Sequence, residues 1–459
     1  MIPNVLGIDL GTSGLKLIYS TNTDNIKVRE EYEECTPKGW FEALCRASRQ
    51  RDLSKVRAIG FSSQVGTYII NDTHCIGWNE PKGEGEVEMI LGMESQEVFL
   101  REISMPHPRI LSYPLPRLAY IKKQYGIPES VCMPKDYLIE QLTGRRVSDP
   151  YSWRGLANLE TGQYSTFLLA KLGIDKRILP KLQKPESVAG YVTVSASKLT
   201  GIPEGTPVYV GCNDFYAGLL GMGMIRNGSM FDITGTSEHL GLITDQEPEL
   251  STPVVHGPYF RHHARYGVTA SSGASLKFGQ RLYDLNDETL LACMQEHVPI
   301  FLPYLNGERA PIWDANATGV FFGITGDTTE KELAYAVMEG VAFSLYHIYE
   351  TMGFPKADGI TVAGGAAKNK GLCQIKASLF DMPVFTLCEN DTSALGAQMI
   401  AAVGEGAYAD LEEAIGNNCT TLSHVMPNQA ETQLLRKRYE IYKELYPALR
   451  TSFKQFRND

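Results

Sequence analysis

No two cysteines in this sequence form a C-x-x-C pair and none clusters with histidine, so spacing offers neither a zinc site nor a disulfide framework. The nine cysteines are expected as reduced, mostly buried thiols. Basic runs are missing as well. With a formal net charge of −10, the chain has no broad electropositive surface for nucleic acid, and its partner is expected to be small. No apolar stretch is long enough to span a bilayer, and Met1 leads straight into a strand-like run without the basic start and apolar centre of a signal peptide. A cytoplasmic protein with no membrane attachment is the expectation. Low-complexity linkers are absent too. The composition is that of a soluble globular protein, 43% hydrophobic and 21% charged over 459 residues, which is too long for one ordinary core and predicts two domains.

Residues 5 to 20, VLGIDLGTSGLKLIYS, predict two short strands joined by a turn of small residues. MFDITGTSEHLGLIT at 230 to 244 has the same grammar: an Asp, an apolar residue, Gly-Thr-Ser and a second strand, with Thr234 as one extra residue. A hairpin repeated after about half the chain predicts two similar halves and places a boundary near 240, giving domains of 1–240 and 241–459. Between the hairpins, residues 110 to 146 predict a helical region closed by a cap at Gly144. Residues 328 to 353 carry Leu333, Val337, Val341 and Leu345 at helical spacing behind a Thr329/Glu332 capping box. An amphipathic surface helix is predicted from about 431.

A Gly-Thr-Ser turn offers backbone N–H groups and hydroxyls to a common point, which is what a phosphate requires. Gly11, Thr12 and Ser13 form one such set, and Gly235, Thr236 and Ser237 the other. Mg²⁺ on phosphates takes only one or two protein carboxylates, a task that suits Asp9; a strand-end carboxylate is the plain alternative. Lys16 is either a charge balance for a phosphoryl group or a solvated strand residue. Asp214 lies where the strand of VYVGCNDFYAGLLGMG turns into a helix, a position open to an N-cap or to the carboxylate that phosphoryl transfer to an alcohol requires. In GITVAGGAAKNKG, Gly364 and Gly365 would allow close backbone approach to a flat ligand, although a tight strand-to-helix turn uses such glycines for steric reasons alone. The G-x-G-x-x-G dinucleotide fingerprint is not met.

Taken together, GIDLGTSGLK at 7–16, MPKDYLIEQLTG at 133–144, GCNDFYAGLLG at 211–221 and PYLNGERAPIWDANATGVFFGIT at 303–325 resemble the FGGY family of carbohydrate kinases. VMEGVAFSL at 337–345, the AGGAAKN run ending at Asn369 and ALGAQMIAAVGEGAY at 394–408 extend the resemblance over nearly the whole chain. It implies an α/β protein of two ribonuclease-H-like domains, the actin-like ATPase fold, flanking a catalytic cleft. It makes Asp214 the catalytic base and Asp9 the metal-side carboxylate. Thr12, Ser13, Gly235 and Thr236 become phosphate contacts, and Gly365, Ala366 and Asn369 line an adenosine pocket. Gln64, Trp78, Asn79 and Asn213 fall on the sugar side.

The departures from the family also fall there. Gln64-Val65-Gly66 stands where xylulokinases and gluconokinases usually carry Gln-Met-His, and Trp78-Asn79-Glu80-Pro81-Lys82 where a W-x-D-x-R-like segment is usual. The implied activity is ATP- and Mg²⁺-dependent phosphorylation of a small sugar or polyol, with xylulose, another ketopentose or a sugar acid as the first acceptor to try. An acceptor-independent nucleotide switch and an inactive sugar-binding regulator of the same fold are the alternatives. No nucleic-acid or membrane partner is expected, and a homodimer is.

Overall fold

The apolar run after Asn4 forms strand β1 (Val5–Leu10), buried at all six positions, and the small-residue turn returns the chain as β2 (Gly14–Ser20). The computed structural model describes residues 2, 4–21, 25–32, 34–106, 108–250 and 252–457. Two compact units emerge: Met1–Ile225 with Asp391–Cys419, and Arg226–Asn390 with Thr420–Asp459.

In the first unit β1 and β2 are joined by β3 (Asn25–Glu31), β4 (Ala58–Ser63), β5 (Val188–Tyr191), β6 (Pro207–Tyr209) and β7 (Cys212–Asn213). The sheet runs β5-β6-β4-β1-β2-β3, with β7 pairing β4 beyond β6. Leu6, Ile8 and Leu10 point into a core with Trp40, Leu44, Leu138 and Leu142. On the opposite face the central position of each of β1 and β4 is glycine, Gly7 and Gly60, for a steric reason. A Cβ on Gly7 would lie 2.3 Å from Ala394 O, and one on Gly60 1.9 Å from Ala397 O. The return helix Thr392–Glu405 therefore lies with its backbone against the sheet, fastened by Gln398 Nε2 donating to Val5 O at 2.7 Å.

The second unit repeats the pattern with β8 (Met230–Thr234), β9 (Glu238–Thr244), β10 (Val255–Tyr259), β11 (His262–Val268), β12 (Ile360–Gly364), β13 (Val384–Leu387) and β14 (Thr421–Val425). Its order is β10-β11-β9-β8-β12-β13-β14. Along β3-β2-β1-β4-β6-β5 the pairings are antiparallel, antiparallel, parallel, parallel, antiparallel, and β11-β9-β8-β12-β13-β14 reproduces that series. The duplication inferred from two short hairpins is a duplication of whole sheets. A boundary at 240 would cut the β8/β9 hairpin in two. The units divide at 225/226 instead, and the chain re-enters the first unit at 391, a return that a hairpin repeat cannot signal.

The helix Glu330–Thr351 begins with the expected Thr329/Glu332 capping box and is buried over positions 334–346. It fills the core of the second unit. Gly144 caps the Pro134–Thr143 helix in the left-handed region, φ 69°. The last helix, Gln429–Arg457, does more than cover a surface: Leu435, Tyr439 and Tyr442 are buried, and Arg438 forms a buried ion pair with Glu339 at 2.6 Å. All nine cysteines are free, but only Cys132, Cys212 and Cys373 are buried, which corrects the expectation of mostly buried thiols. Among the described residues no helix is long and apolar enough to cross a membrane.

Candidate active site

Parallel pairing brings the carboxyl ends of three strands of the first unit together. Asp9 stands beside Ser62 in the β1/β4 register, and Cys212 and Asn213 pair with Ser62 and Ser63. Asp9, Gln64 and Asp214 thus emerge at one edge, where open α/β sheets bind ligands. Ser62 Oγ donates to Asp9 Oδ1 at 2.7 Å. Lys16, opposite Asp9 in the β1/β2 register, places Nζ 3.0 Å from Asp391 Oδ1. The return helix closes the group: Ser393 Oγ donates to Asp214 O at 2.9 Å, and Ser62 Oγ also reaches Ser393 O at 3.3 Å.

Burial pushes the Asp9 carboxyl above its ordinary value; the Ser62 hydrogen bond and Lys16 oppose the rise, and Asp391 adds to it. Asp214 is only half-buried as a residue, yet its carboxyl is enclosed by protein, and desolvation followed by the Asp9 charge pushes it up to about 7. A carboxylate tuned to that range is suited to exchange a proton at neutral pH. The N-cap alternative for Asp214 is displaced by its neighbour. Asn213 caps the Asp214–Gly221 helix, accepting from Tyr216 N at 2.9 Å while its Nδ2 donates to Tyr151 O at 2.9 Å. Asn213, expected on the sugar side, is therefore a buried structural cap.

Gln64 is buried, and its side-chain amide makes no hydrogen bond among the described residues, leaving it available to a ligand. Trp78 and Asn79 are exposed on a loop held by the buried Arg117, which donates to the carbonyls of Gly77, Glu80 and Lys82 at 2.8 to 3.0 Å. The Trp78 indole N–H donates to Thr12 Oγ1 at 3.1 Å, so the tryptophan expected on the sugar side touches the first Gly-Thr-Ser turn. Thr12 and Ser13 are exposed, and Tyr32 Oη fixes the turn by donating to Gly11 O at 3.1 Å. Ser62, Asp391, Ser393 and Tyr32 were not singled out from the sequence.

In the second unit Thr234 pairs with Gly364, so the Gly235-Thr236-Ser237 turn and the turn beginning at Gly365 leave adjacent parallel strands at the same end. Gly235 and Thr236 are exposed and Ser237 is half-buried. A Cβ on Gly364 (φ 90°) would lie 2.0 Å from Thr234 O, so backbone packing alone demands that glycine, whereas Gly365 faces open space. Ala366 is buried in the core, and Asn369 caps the Lys370–Phe380 helix at Leu372 N while its Nδ2 donates to Leu285 O at 2.6 Å. Of the three positions expected to line an adenosine pocket, Gly365 is the one with open space beside it, Ala366 being buried and Asn369 engaged as a cap.

The extra residue Thr234 has a large effect. When the hairpins are aligned on their last residues before the turn, Leu10 (paired with Leu15) and Thr234 (paired with Glu238), Ile233 falls in the place of Asp9. Asp232 is one residue further back and points to the other face, because side chains alternate along a strand. There Lys376 Nζ meets Asp232 Oδ2 at 2.5 Å and Glu238 Oε1 at 2.6 Å, and Ser272 Oγ donates to Glu238 Oε2. Burial raises the Asp232 carboxyl, while Lys376 and its hydrogen-bonding neighbours hold Glu238 below its ordinary value despite burial. The duplicated hairpins are chemically unlike: the first presents an acid at the site, the second buries its acid against a lysine.

Residues 4–221 match the N-terminal domain, and residues 231–405 the C-terminal domain, of the FGGY family of carbohydrate kinases. The chain belongs to that family. It is similar to the xylulose kinase of Staphylococcus xylosus, 28% identical over 96% of this chain and 99% of the relative, and to the gluconokinase of Bacillus licheniformis, 25% identical over 100% and 98%. Among solved structures, a ligand-bound xylulose kinase from Lactobacillus acidophilus aligns with TM-score 0.87 at 27% identity, covering 98% of this chain and 99% of the other. A gluconate kinase from the same organism aligns with TM-score 0.86 at 28% identity and the same coverage. This carbohydrate kinase accordingly has the actin-like ATPase fold and is a phosphotransferase acting on an alcohol group. The nucleotide-switch and inactive-regulator readings are not favoured.

Proposed function

We propose that this FGGY kinase transfers the γ-phosphoryl group of ATP to a hydroxyl of a small polyhydroxylated acceptor, a ketopentose such as xylulose or a sugar acid, with Asp214 as general base. The observation that carries the reading is a carboxylate raised to about 7 at the strand ends beside Asp9, with the Gln64 amide, unpartnered among the described residues, just past the end of the neighbouring strand. The acceptor oxygen attacks the γ-phosphorus as its proton passes to Asp214. The bond from that phosphorus to the bridging oxygen breaks, and ADP leaves. Gln64 would orient the acceptor by hydrogen bonds to its hydroxyls. Thr12 and Ser13 would donate to phosphate oxygens with Lys16 as a nearby positive charge, and Gly235, Thr236 and Ser237 would supply further phosphate donors.

The residues also fit Mg²⁺. Asp9, Asp214 and Asp391 gather about Lys16, leaving a surplus of negative charge, and Asp9 keeps one carboxylate oxygen without a hydrogen bond among the described residues. Those residues form no three-ligand metal cage, which Mg²⁺ held chiefly by phosphates and water does not require. Asp9 would hold the hydrated ion, which, when bound, screens the phosphate charge.

The test is ATP turnover, by a coupled assay, across ketopentoses, aldonates and polyols. At least one class should raise turnover well above the rate without acceptor. A panel in which no compound stimulates turnover, and none binds by calorimetry, would overturn the proposal.

A further inference from the structure

Two cysteines that phosphoryl transfer does not use stand between the first Gly-Thr-Ser turn and the Trp78 loop. Tyr32 and Cys35 support that turn from one side, Tyr32 Oη donating to Gly11 O at 3.1 Å and Cys35 Sγ facing Thr12 O at 4.0 Å. Cys75 Sγ donates in turn to Cys35 O at 3.3 Å. Cys75 lies in the short strand His74–Ile76, where it pairs with Ile69, and the Trp78 loop begins two residues later at Gly77. The Trp78 indole bond to Thr12 Oγ1 closes a circuit that runs from Thr12 through Cys35 and Cys75 and back to Thr12.

The two thiols differ in their surroundings. Cys35 is exposed, and it lies just ahead of Thr36, the cap of the Pro37–Arg49 helix. Cys75 is half-buried against the first core; burial pushes its thiol up, with Glu80 and Cys35 adding to the rise and Lys82 opposing it. The exposed thiol is the one an oxidant reaches first. Because the oxygen and sulfur of one cysteine are no more than about 5 Å apart, the bond from Cys75 to Cys35 O puts the two sulfurs within about 8 Å of each other. Closing that gap takes a rotation about the Cys35 Cα–Cβ bond and a shift of the exposed residues Glu34 and Cys35, which lie outside the helix.

We infer that Cys35 and Cys75 are a modification site, joined as a disulfide when the protein meets a peroxide, and that the bridge reversibly suppresses phosphoryl transfer. The Cys35 thiolate attacks one oxygen of hydrogen peroxide, the O–O bond breaks, and the hydroxide released takes up the proton the thiol gave up, leaving Cys35 as a sulfenic acid. The Cys75 sulfur then attacks the Cys35 sulfur, the S–O bond breaks, and water leaves with the Cys75 proton. Two thiols are oxidised by two electrons and the peroxide is reduced to two waters. The bridge takes Cys35 Sγ off Thr12 O and fixes residue 35 to the strand that leads into the Trp78 loop, so the turn loses one of its supports. The effect on turnover rests on the kinase reading above; the bond itself does not.

The full-length protein, freed of reductant, should be treated with a few equivalents of hydrogen peroxide, alkylated and digested. Mass spectrometry should then show the peptides of residues 35 and 75 joined, and dithiothreitol should separate them. ATP turnover with the best acceptor of the panel should fall at least about 10-fold on oxidation and recover with dithiothreitol, since small misplacements of a binding turn cost rates of that order. Cys35→Ser and Cys75→Ser should keep the turnover of the reduced protein and escape the reversible loss, and Cys75→Ser should hold Cys35 as a sulfenic acid that dimedone traps. Cys75→Ala serves if the serine variant at that half-buried position fails to fold. A folded, oxidised protein without the 35–75 linkage overturns the inference and leaves the kinase reading intact. So does a linkage that leaves turnover unchanged, or inactivation of the serine variants to the same extent as wild type. Turnover that no acceptor stimulates removes the kinase reading instead, and the linked peptide then decides alone whether the bridge forms.

Discussion

Asp214→Asn should abolish most phosphoryl transfer and, at the same time, stabilise the protein. General-base assistance is worth about 10²- to 10⁴-fold, so kcat with the best acceptor should fall by at least about 10²-fold while the KM values for acceptor and ATP change far less. The fold should survive, because the helix cap belongs to Asn213 and the side-chain oxygen of the introduced asparagine can accept from Phe215 N as Asp214 Oδ1 does at 2.8 Å. The stability gain follows from the raised carboxyl. A carboxylate whose folded value of about 7 exceeds its unfolded value loses stability as pH rises through the interval from 3.8 to 7. Asparagine does not ionise, so its advantage should be on the order of 1–3 kcal/mol at pH 8 and should vanish near pH 4. In the wild type, kcat/KM should rise with pH through about 7 and then level off, since the unprotonated carboxyl is the active form. Melting temperatures at pH 4 and pH 8, with the pH–rate profile, check both halves. An Asn variant that turns over within a few-fold of wild type would move the base elsewhere.

Lys376→Met should destabilise the second unit severely. Lys376 and Glu238 are essentially without solvent exposure, and the lysine is shared between Glu238 and Asp232. Removing the cation leaves a buried carboxylate uncompensated at a cost of about 3–5 kcal/mol, a fall in Tm on the order of 10 °C for a unit of this size. The loss has a defined pH dependence. Glu238, now raised by burial without its partner, costs stability above its unfolded value and takes up a proton as pH falls, so the deficit should narrow toward pH 5. Adding Glu238→Gln and Asp232→Asn should restore most of the stability. Glu238 directly follows the 235–237 turn and pairs with Thr234, so the single variant should also raise the KM for ATP. A folded Lys376→Met protein melting within a degree or two of wild type would show that the cluster contributes little.

The hairpins were legible because Gly-Thr-Ser between two apolar runs allows few other readings, and Asp214 because a strand, a small-residue turn and a Gly-rich helix locate it. The extra Thr234 was equally visible, but its meaning depended on register: only the pairing of Thr234 with Glu238 shows that Asp232 faces away from the Asp9 position. Asp391 was not legible. It belongs to the site through tertiary packing of a helix 382 positions after Asp9, and no local pattern distinguishes it from an ordinary residue before a helix. Asn213 and Asn369 illustrate the converse, since position in a motif named them as ligand contacts and the structure gives both amides to helix caps. Capping is local chemistry, and it competes with function for the same polar side chains.

The re-entry of residues 391–419 into the first unit sets an order of events during synthesis. When residue 225 has left the ribosome, every strand of the first sheet exists, but Gly7 and Gly60 still expose bare backbone where the helix Thr392–Glu405 will lie. The chain must wait until residue 405 is made, roughly 10–40 s at ordinary elongation rates, with an uncovered sheet face on display. Unit by unit folding from the N-terminus is thus closed to this protein. The second unit, whose own sheet also draws on Thr421–Val425, cannot finish first either. Neither unit is complete before residues 405 and 425 have been made, so a chain broken off before residue 391 should lose the covering of the first sheet as well as the last strand of the second.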